Sequence, residues 1–270
     1  MIPEAFTYER AGSVAEALEH MGRGALPLAG GHSLLPALKL RLSAPEALVD
    51  IARIPELSGI RVDGGTLVIG ACTRHRVVAA SADVAAHAPV LAAAAGEIGD
   101  QLVRNRGTIG GSLAQADPHG DLPAVALAAG AEIVVQSPSG TRTIAADDFF
   151  VDYFTTALAE GELITEIRIP GGQSQGAYAK FNRRTADWAL MGAAVSKGAG
   201  GWRVALCGAA PTAMRAGGVE TALAGGASAA DAAAHAAEGI SPEADLGGST
   251  EYKRHLATVM VRRALEAAGA

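Results

Sequence analysis

Aromatic residues and cysteine are both scarce in this chain. Phe, Tyr and Trp together make up 4% of 270 residues, so aliphatic side chains and alanine must fill most of the interior. The two cysteines, Cys72 and Cys207, stand far apart, with no CxxC and no neighbouring histidine pair. That excludes a sequence-encoded zinc or iron–sulfur site and leaves two buried thiols. Positive charge is short as well: 22 Lys and Arg against 28 Asp and Glu give a net charge of -6. Such a chain offers no basic footprint for nucleic acid. No run approaches the roughly 18 apolar residues that span a bilayer, and the opening MIPEAFTYER carries acids where a secretory signal needs an apolar core. A cytoplasmic protein without an integral membrane segment is expected.

The chain is instead rich in small and aliphatic residues. Hydrophobic residues make up 49% and charged ones 19%, which describes a compact chain long enough for one large or two modest domains. Glycine, at 34 residues, is nearly twice its usual share of about 7%. Backbone turns and close approaches are the reason to spend so many.

The first part alternates small α and β pieces. Ser13-Val-Ala-Glu16 reads as a capping box opening a helix through Met21. A strand at 25–29 follows, then LLPALKLRL and segments at 48–51, 60–62 and 67–71 that group as short strands. Ala-rich stretches at 73–81, 84–98 and 122–129 read as helices, and 131–136 and 141–144 as a hairpin about Ser-Pro-Ser-Gly140. A strand at 164–169 ends at Pro170-Gly-Gly172; beyond it come antiparallel strands at 177–181, 189–196 and 202–208, then helices at 219–223, 229–237 and 250–268. A division into 1–170 and 171–270 is expected.

Gly-Gly occurs eight times, so most copies must be turns. Two differ in context: Leu28-Ala-Gly-Gly-His-Ser-Leu34 and Thr108-Ile-Gly-Gly-Ser-Leu113 each set the pair beside a hydroxyl residue and before an apolar segment. A buried pyrophosphate needs converging N–H donors, and glycine lets the backbone come close and form a nest. With no GxGxxG or GxxxxGK in the chain, two separate loops would have to share the phosphates. Asp117-Pro-His-Gly-Asp121 follows the second pair. It reads as a carboxylate site for ribose hydroxyls, as a Pro/Gly turn with solvated acids, or as metal ligands, the least favoured of the three. Gly172-Gln-Ser-Gln-Gly176 matches GxSxG formally, but a strand-like AYAKF follows where a nucleophile elbow needs a helix. Lys180 in that strand is either a solvent-facing lysine or, if it points into a cleft, a counter-charge for an anionic cofactor.

LAGGHSLLPALKLRL, VRNRGTIGGSLAQADPHGDLPAV, DFF, GELITEIRIP, AYAKF and CGAAPTAMRA occur in this order. With them the chain resembles the FAD-binding medium subunits of molybdenum hydroxylases of the xanthine dehydrogenase and carbon monoxide dehydrogenase type. The resemblance implies an α+β fold: a vanillyl-alcohol-oxidase-like (PCMH-type) FAD-binding domain of two α/β subdomains, then a C-terminal domain of a three-stranded antiparallel sheet and helices. It places one FAD cradle on Ala29, Gly30, Gly31, His32, Ser33 and Leu34 and the other on Thr108, Ile109, Gly110, Gly111 and Ser112. It puts Gln115 along the same wall, Asp121 at the ribose, Ile164 as a backbone contact to the isoalloxazine, and Lys180 near its pyrimidine edge. Gln115 stands where many relatives have His, and Trp188 where relatives often have Tyr. Trp188 is either a flavin neighbour or an interdomain packing aromatic, and His119 has no assigned role.

The implied function is electron transfer from [2Fe-2S] clusters in a small partner subunit, through this FAD, to an external acceptor. The same resemblance implies a molybdenum cofactor in a large subunit and an assembly that is a dimer of heterotrimers. The absent cysteine clusters agree with clusters housed elsewhere. The alternatives are a self-sufficient FAD-dependent oxidoreductase of the same fold, for which no covalent FAD tether stands out, and an accessory nucleotide-binding module.

Overall fold

The structure is a computed structural model that describes residues 2–270. Its first unit runs β1 (Thr7–Arg10), α1 (Val14–Gly22), β2 (Leu26–Leu28), α2 (Leu34–Leu40) and β3 (Ala47–Asp50). The three strands form a parallel sheet in the order β1-β3-β2. Half of the capping box at the start of α1 forms as expected, Ser13 Oγ accepting from Glu16 N at 3.2 Å, while the Glu16 carboxylate accepts from Gly12 N at 2.6 Å, one residue before the cap. LLPALKLRL is not a strand but helix α2. Its leucines, alanine and lysine are good helix formers with no β-branched residue among them, and Pro36 falls in the first turn, where its missing N–H costs nothing.

The second unit contains β4 (Ile60–Asp63), β5 (Thr66–Gly70), helices α3 (His75–Ala80), α4 (Ala82–His87), α5 (Pro89–Glu97), α6 (Gln101–Arg104), α7 (Ile109–Gln115) and α8 (Asp121–Ala128), then β6 (Glu132–Ser137), β7 (Gly140–Ala145), α9 (Ala146–Phe149), a small β8–β9 ribbon (Phe150–Asp152, Thr155–Thr156) and β10 (Leu163–Ile169). Its sheet, ordered β4-β5-β10-β6-β7, is antiparallel throughout, with a register shift at Ile164/Glu166. The single helix expected over 84–98 is two, because Pro89 supplies no N–H and pushes Ala88 out of the helical region, to φ -148°.

The C-terminal unit holds β11 (Gln175–Phe181), β12 (Met191–Gly198), β13 (Gly201–Cys207), β14 (Met214–Arg215), α10 (Gly217–Ala224), α11 (Ala229–Ala233) and the long α12 (Thr250–Ala268). Its antiparallel sheet has four strands, not the expected three: Met214 and Arg215 pair with Leu206 and Ala205 as a two-residue edge strand. Two residues are too few to show period-two alternation.

Alternation along β12 and β13 shows how this unit is attached. Ala193, Val195, Val204 and Leu206 face a core shared with α12. Ala194, Ala205 and Cys207 point the other way, into the core of the second unit beside Leu122, Ile133, Phe149 and Ile167. Polar stitches reinforce the contact: Gln173 Nε2 donates to Ala129 O at 2.7 Å, and Arg203 Nε to Leu127 O at 2.9 Å. The sheet is therefore covered on both faces, and the C-terminal unit is welded to α8 rather than tethered by a linker.

Phe149 is fully buried in the shared core, edge-on to Phe150 at 5.2 Å between ring centres. Phe149→Ala is expected to cost about 3–5 kcal/mol, read as a lower denaturation midpoint with an unchanged slope.

Candidate functional site

A cavity of about 500 Å³ lies between the three units, bordered by the β2–α2 loop, the segment 98–115, Asp121, Lys180 and the loop carrying Trp188. This volume is within the range of small-molecule and cofactor sites. Every residue expected at a cofactor site borders it except Ile109, Gly110 and Ile164. Ile109 and Ile164 are buried in the second unit's core, and Gly110 packs against Ala71.

The two glycine loops touch. A Cβ on Gly30 would collide with the Arg106 carbonyl oxygen and come within 2.8 Å of Gly107 Cα. The absence of a side chain at Gly30 is thus what lets the first loop lie on the segment entering the second. The loops nevertheless do different work. In the second, Thr108 caps α7: Ile109 N donates to Thr73 O at 3.1 Å, Gly110 N to Ala71 O at 2.8 Å, Gly111 N to Thr108 Oγ1 at 3.2 Å and Ser112 N to Thr108 O at 3.0 Å. Its amides are largely committed, and it presents hydroxyls and a side-chain-free surface at Gly111. In the first loop, the N–H groups of Gly31, His32, Ser33 and Leu34 take no partner within the described residues. Gly31 at φ +76° turns them toward one side. The Ser33 hydroxyl caps nothing, and His32 Nδ1 is held by Gly30 O at 3.1 Å. The first loop therefore leaves a run of free N–H donors, and the second forms a rigid wall beside it.

At the opposite wall Lys180 is not a solvent-facing lysine. Its side chain is 4% exposed and its Nζ lies 3.2 Å from Asp121 Oδ1, with Asp121 5% exposed. Asp121 also accepts from Tyr178 OH at 2.5 Å. Burial pushes the Asp121 carboxyl up, and Lys180 and Tyr178 act against that rise.

His119, unassigned from sequence, is a strut. Its Nδ1 bonds Ala189 O at 2.8 Å, while Gly208 N donates to Pro118 O at 2.7 Å. The turn reading of Asp117-Pro-His-Gly-Asp121 thus holds for its first half, where Asp117 Oδ1 accepts His119 N at 2.9 Å. Among the described residues no cluster of three metal-ligating side chains gathers there. The strut fixes the segment bearing Trp188, which borders the cavity mouth at 56% exposure. Ser174 leads straight into β11, so no nucleophile elbow forms.

Sequence reasoning missed His75, at the start of α3. It borders the cavity, is buried, and its Nδ1 has no hydrogen-bond partner. Burial first, and then His32 and Arg104, lower its pKa to about 4. The spacing from His75 to the second loop carried no signal; the contact arises because His75 N donates to Gly107 O and Arg74 bridges Thr108. Unfolded His75 takes a proton near pH 6.5 and the folded form only near 4. Stability is therefore complete above pH 6.5 and falls as pH drops from 6.5 to 4, by about 3 kcal/mol in all. His75→Phe is expected to flatten that part of the stability–pH curve, measured by denaturant unfolding at a series of pH values.

Two family models match the chain: the FAD binding domain in molybdopterin dehydrogenase over residues 4–172, and the CO dehydrogenase flavoprotein C-terminal domain over residues 176–268. The carbon monoxide dehydrogenase medium chain of Hydrogenophaga pseudoflava is 48% identical over 100% of this chain and 99% of its own length. Among solved structures, carbon monoxide dehydrogenase from Hydrogenophaga pseudoflava superposes with a TM-score of 0.95 at 46% identity, covering 100% of this chain and 99% of that one. Quinoline 2-oxidoreductase from Pseudomonas putida does so at 0.92 and 33% identity, with the same coverage.

Proposed function

The chain belongs to the FAD-binding medium subunits of the molybdenum hydroxylases, and we propose that it carries electrons from a partner's [2Fe-2S] clusters to an external acceptor. The observation that carries this reading is the meeting of the two glycine loops at Gly30 and Gly107 on the rim of a cavity whose far wall holds Lys180. FAD, when bound, supplies the reversible two-electron chemistry. The chain's residues do the rest. The free amides of Gly31 to Leu34 and the hydroxyls of Ser33, Thr108 and Ser112 hold the pyrophosphate, Gly111 admits it, and Lys180 sets positive charge on the wall where negative charge grows. Gln115 and Asp121 complete that wall, and Trp188 flanks the mouth.

The division at residues 170 and 171 separates the unit that holds the dinucleotide from the one that covers it. Substrate choice belongs to a large molybdenum-bearing subunit. Carbon monoxide dehydrogenase and quinoline 2-oxidoreductase, named for unlike substrates, share this fold at TM-scores of 0.95 and 0.92, which favours a chain that serves electrons rather than selects substrate. The assembly is a dimer of heterotrimers.

The purified chain, loaded with FAD, is expected to stay oxidised when the complex's substrate is added alone and to bleach anaerobically once both partner subunits are present. Direct bleaching of the isolated chain by a small substrate would instead make it a self-sufficient oxidoreductase. Gly111→Val places methyl groups against Thr108 Oγ1, 2.8 Å from the Cβ position, and into the cavity. It should weaken FAD binding ~100-fold, and Ser33→Ala ~10-fold, the loss of charge-assisted hydrogen bonds to phosphate. Titration of flavin fluorescence reads both.

A further inference from the structure

Behind the Lys180–Asp121 pair lies a chain of donors that the proposed function does not use. The half-buried Tyr178, two residues before Lys180 on β11, turns its hydroxyl inward to Asp121 Oδ1 at 2.5 Å and lies 3.6 Å from Cys207 Sγ. Burial, with Cys207 and Asp121 beside it, pushes Tyr178 far up. Burial likewise pushes the Cys207 thiol up to about 12. Both groups stay protonated, so the bonds have a fixed direction: the tyrosine O–H is given to Asp121, and its lone pair faces the thiol. Tyr178 does not border the cavity, whereas Asp121 and Lys180 do.

Asp121 thus shares its charge between two donors. Lys180 Nζ is 3.2 Å from one carboxylate oxygen and 3.3 Å from the other, and 3.4 Å from Glu97 O at the end of α5. A buried carboxylate compensated by lysine alone would draw the ammonium onto itself. One already holding a hydroxyl bond leaves more of the lysine's field for the cavity.

We propose that Tyr178 is a positioning residue for the flavin's redox potential: by donating to Asp121 it blunts that carboxylate and leaves the Lys180 ammonium to stabilise reduced flavin. The inference rests on the FAD reading above. A flavin taking up two electrons and one proton gains one negative charge, so its potential follows the net field of this wall.

The test is the midpoint potential of bound FAD in the chain and its variants, by anaerobic dye-coupled titration. Tyr178→Phe keeps the ring and removes the donor. Affinity for reduced relative to oxidised flavin should fall about tenfold, a drop of about 30 mV for a two-electron couple. Asp121→Asn removes the opposing charge and should move the potential the other way. A Tyr178→Phe potential that is unchanged or higher overturns the proposal, as does a fall in Asp121→Asn. If Tyr178→Phe does not fold, the sign in Asp121→Asn decides. A wild-type chain that takes up no FAD defeats the function and this inference together, whereas normal wild-type binding with an unmoved Tyr178→Phe potential defeats this inference alone.

Discussion

The backbone contact between Gly30 and the Arg106–Gly107 segment is the constraint on which the rest of the site depends. One loop follows a strand of the parallel sheet, the other joins α6 to α7, and both border the same cavity. Brought together, they line the same cavity but spend their amides differently. The first loop keeps four amides free of internal partners, while the second spends its amides on Thr73, Ala71 and its own cap to become rigid. Any side chain at Gly30 would pry them apart and lose the site without touching a single donor.

The C-terminal sheet completes the enclosure by packing both of its faces. With one face of β12 and β13 in the core of the second unit and the other against α12, β11 is held where Lys180 and Tyr178 reach Asp121. The ion pair is costly to bury, and the surrounding structure accepts that cost at the wall of the cavity. The His119 strut extends the same logic to the mouth by fixing Ala189, next to Trp188.

Much of this was legible in the sequence. The glycine pairs with their flanking hydroxyls marked both loops, Ser13 with Glu16 marked the start of α1, and the long helix 250–268 was read to the residue. What failed did so where the pattern was short or the decision was tertiary. LLPALKLRL carries leucines that suit either helix or strand. The edge strand Met214–Arg215 is too short to alternate. The inequality of the two loops depends on whether Ile109 and Gly110 find acceptors at Thr73 and Ala71, 36 and 39 residues earlier in the chain. His75 reaches the cavity through the same bridge and has no local signature at all. Lys180 showed both of its readings in sequence, and only the packing of β11 against α5, with Asp121 in reach, chose the buried one.

The two sulfhydryls share one chemical consequence of their burial. Cys72 and Cys207 are both buried and both pushed up to about 12, so almost no thiolate exists at neutral pH, and the thiolate is the form that peroxide attacks. A peroxide would meet no reactive thiolate in either cysteine until the fold opened. The scarcity of cysteine and the burial of both copies together keep thiol chemistry out of the folded chain.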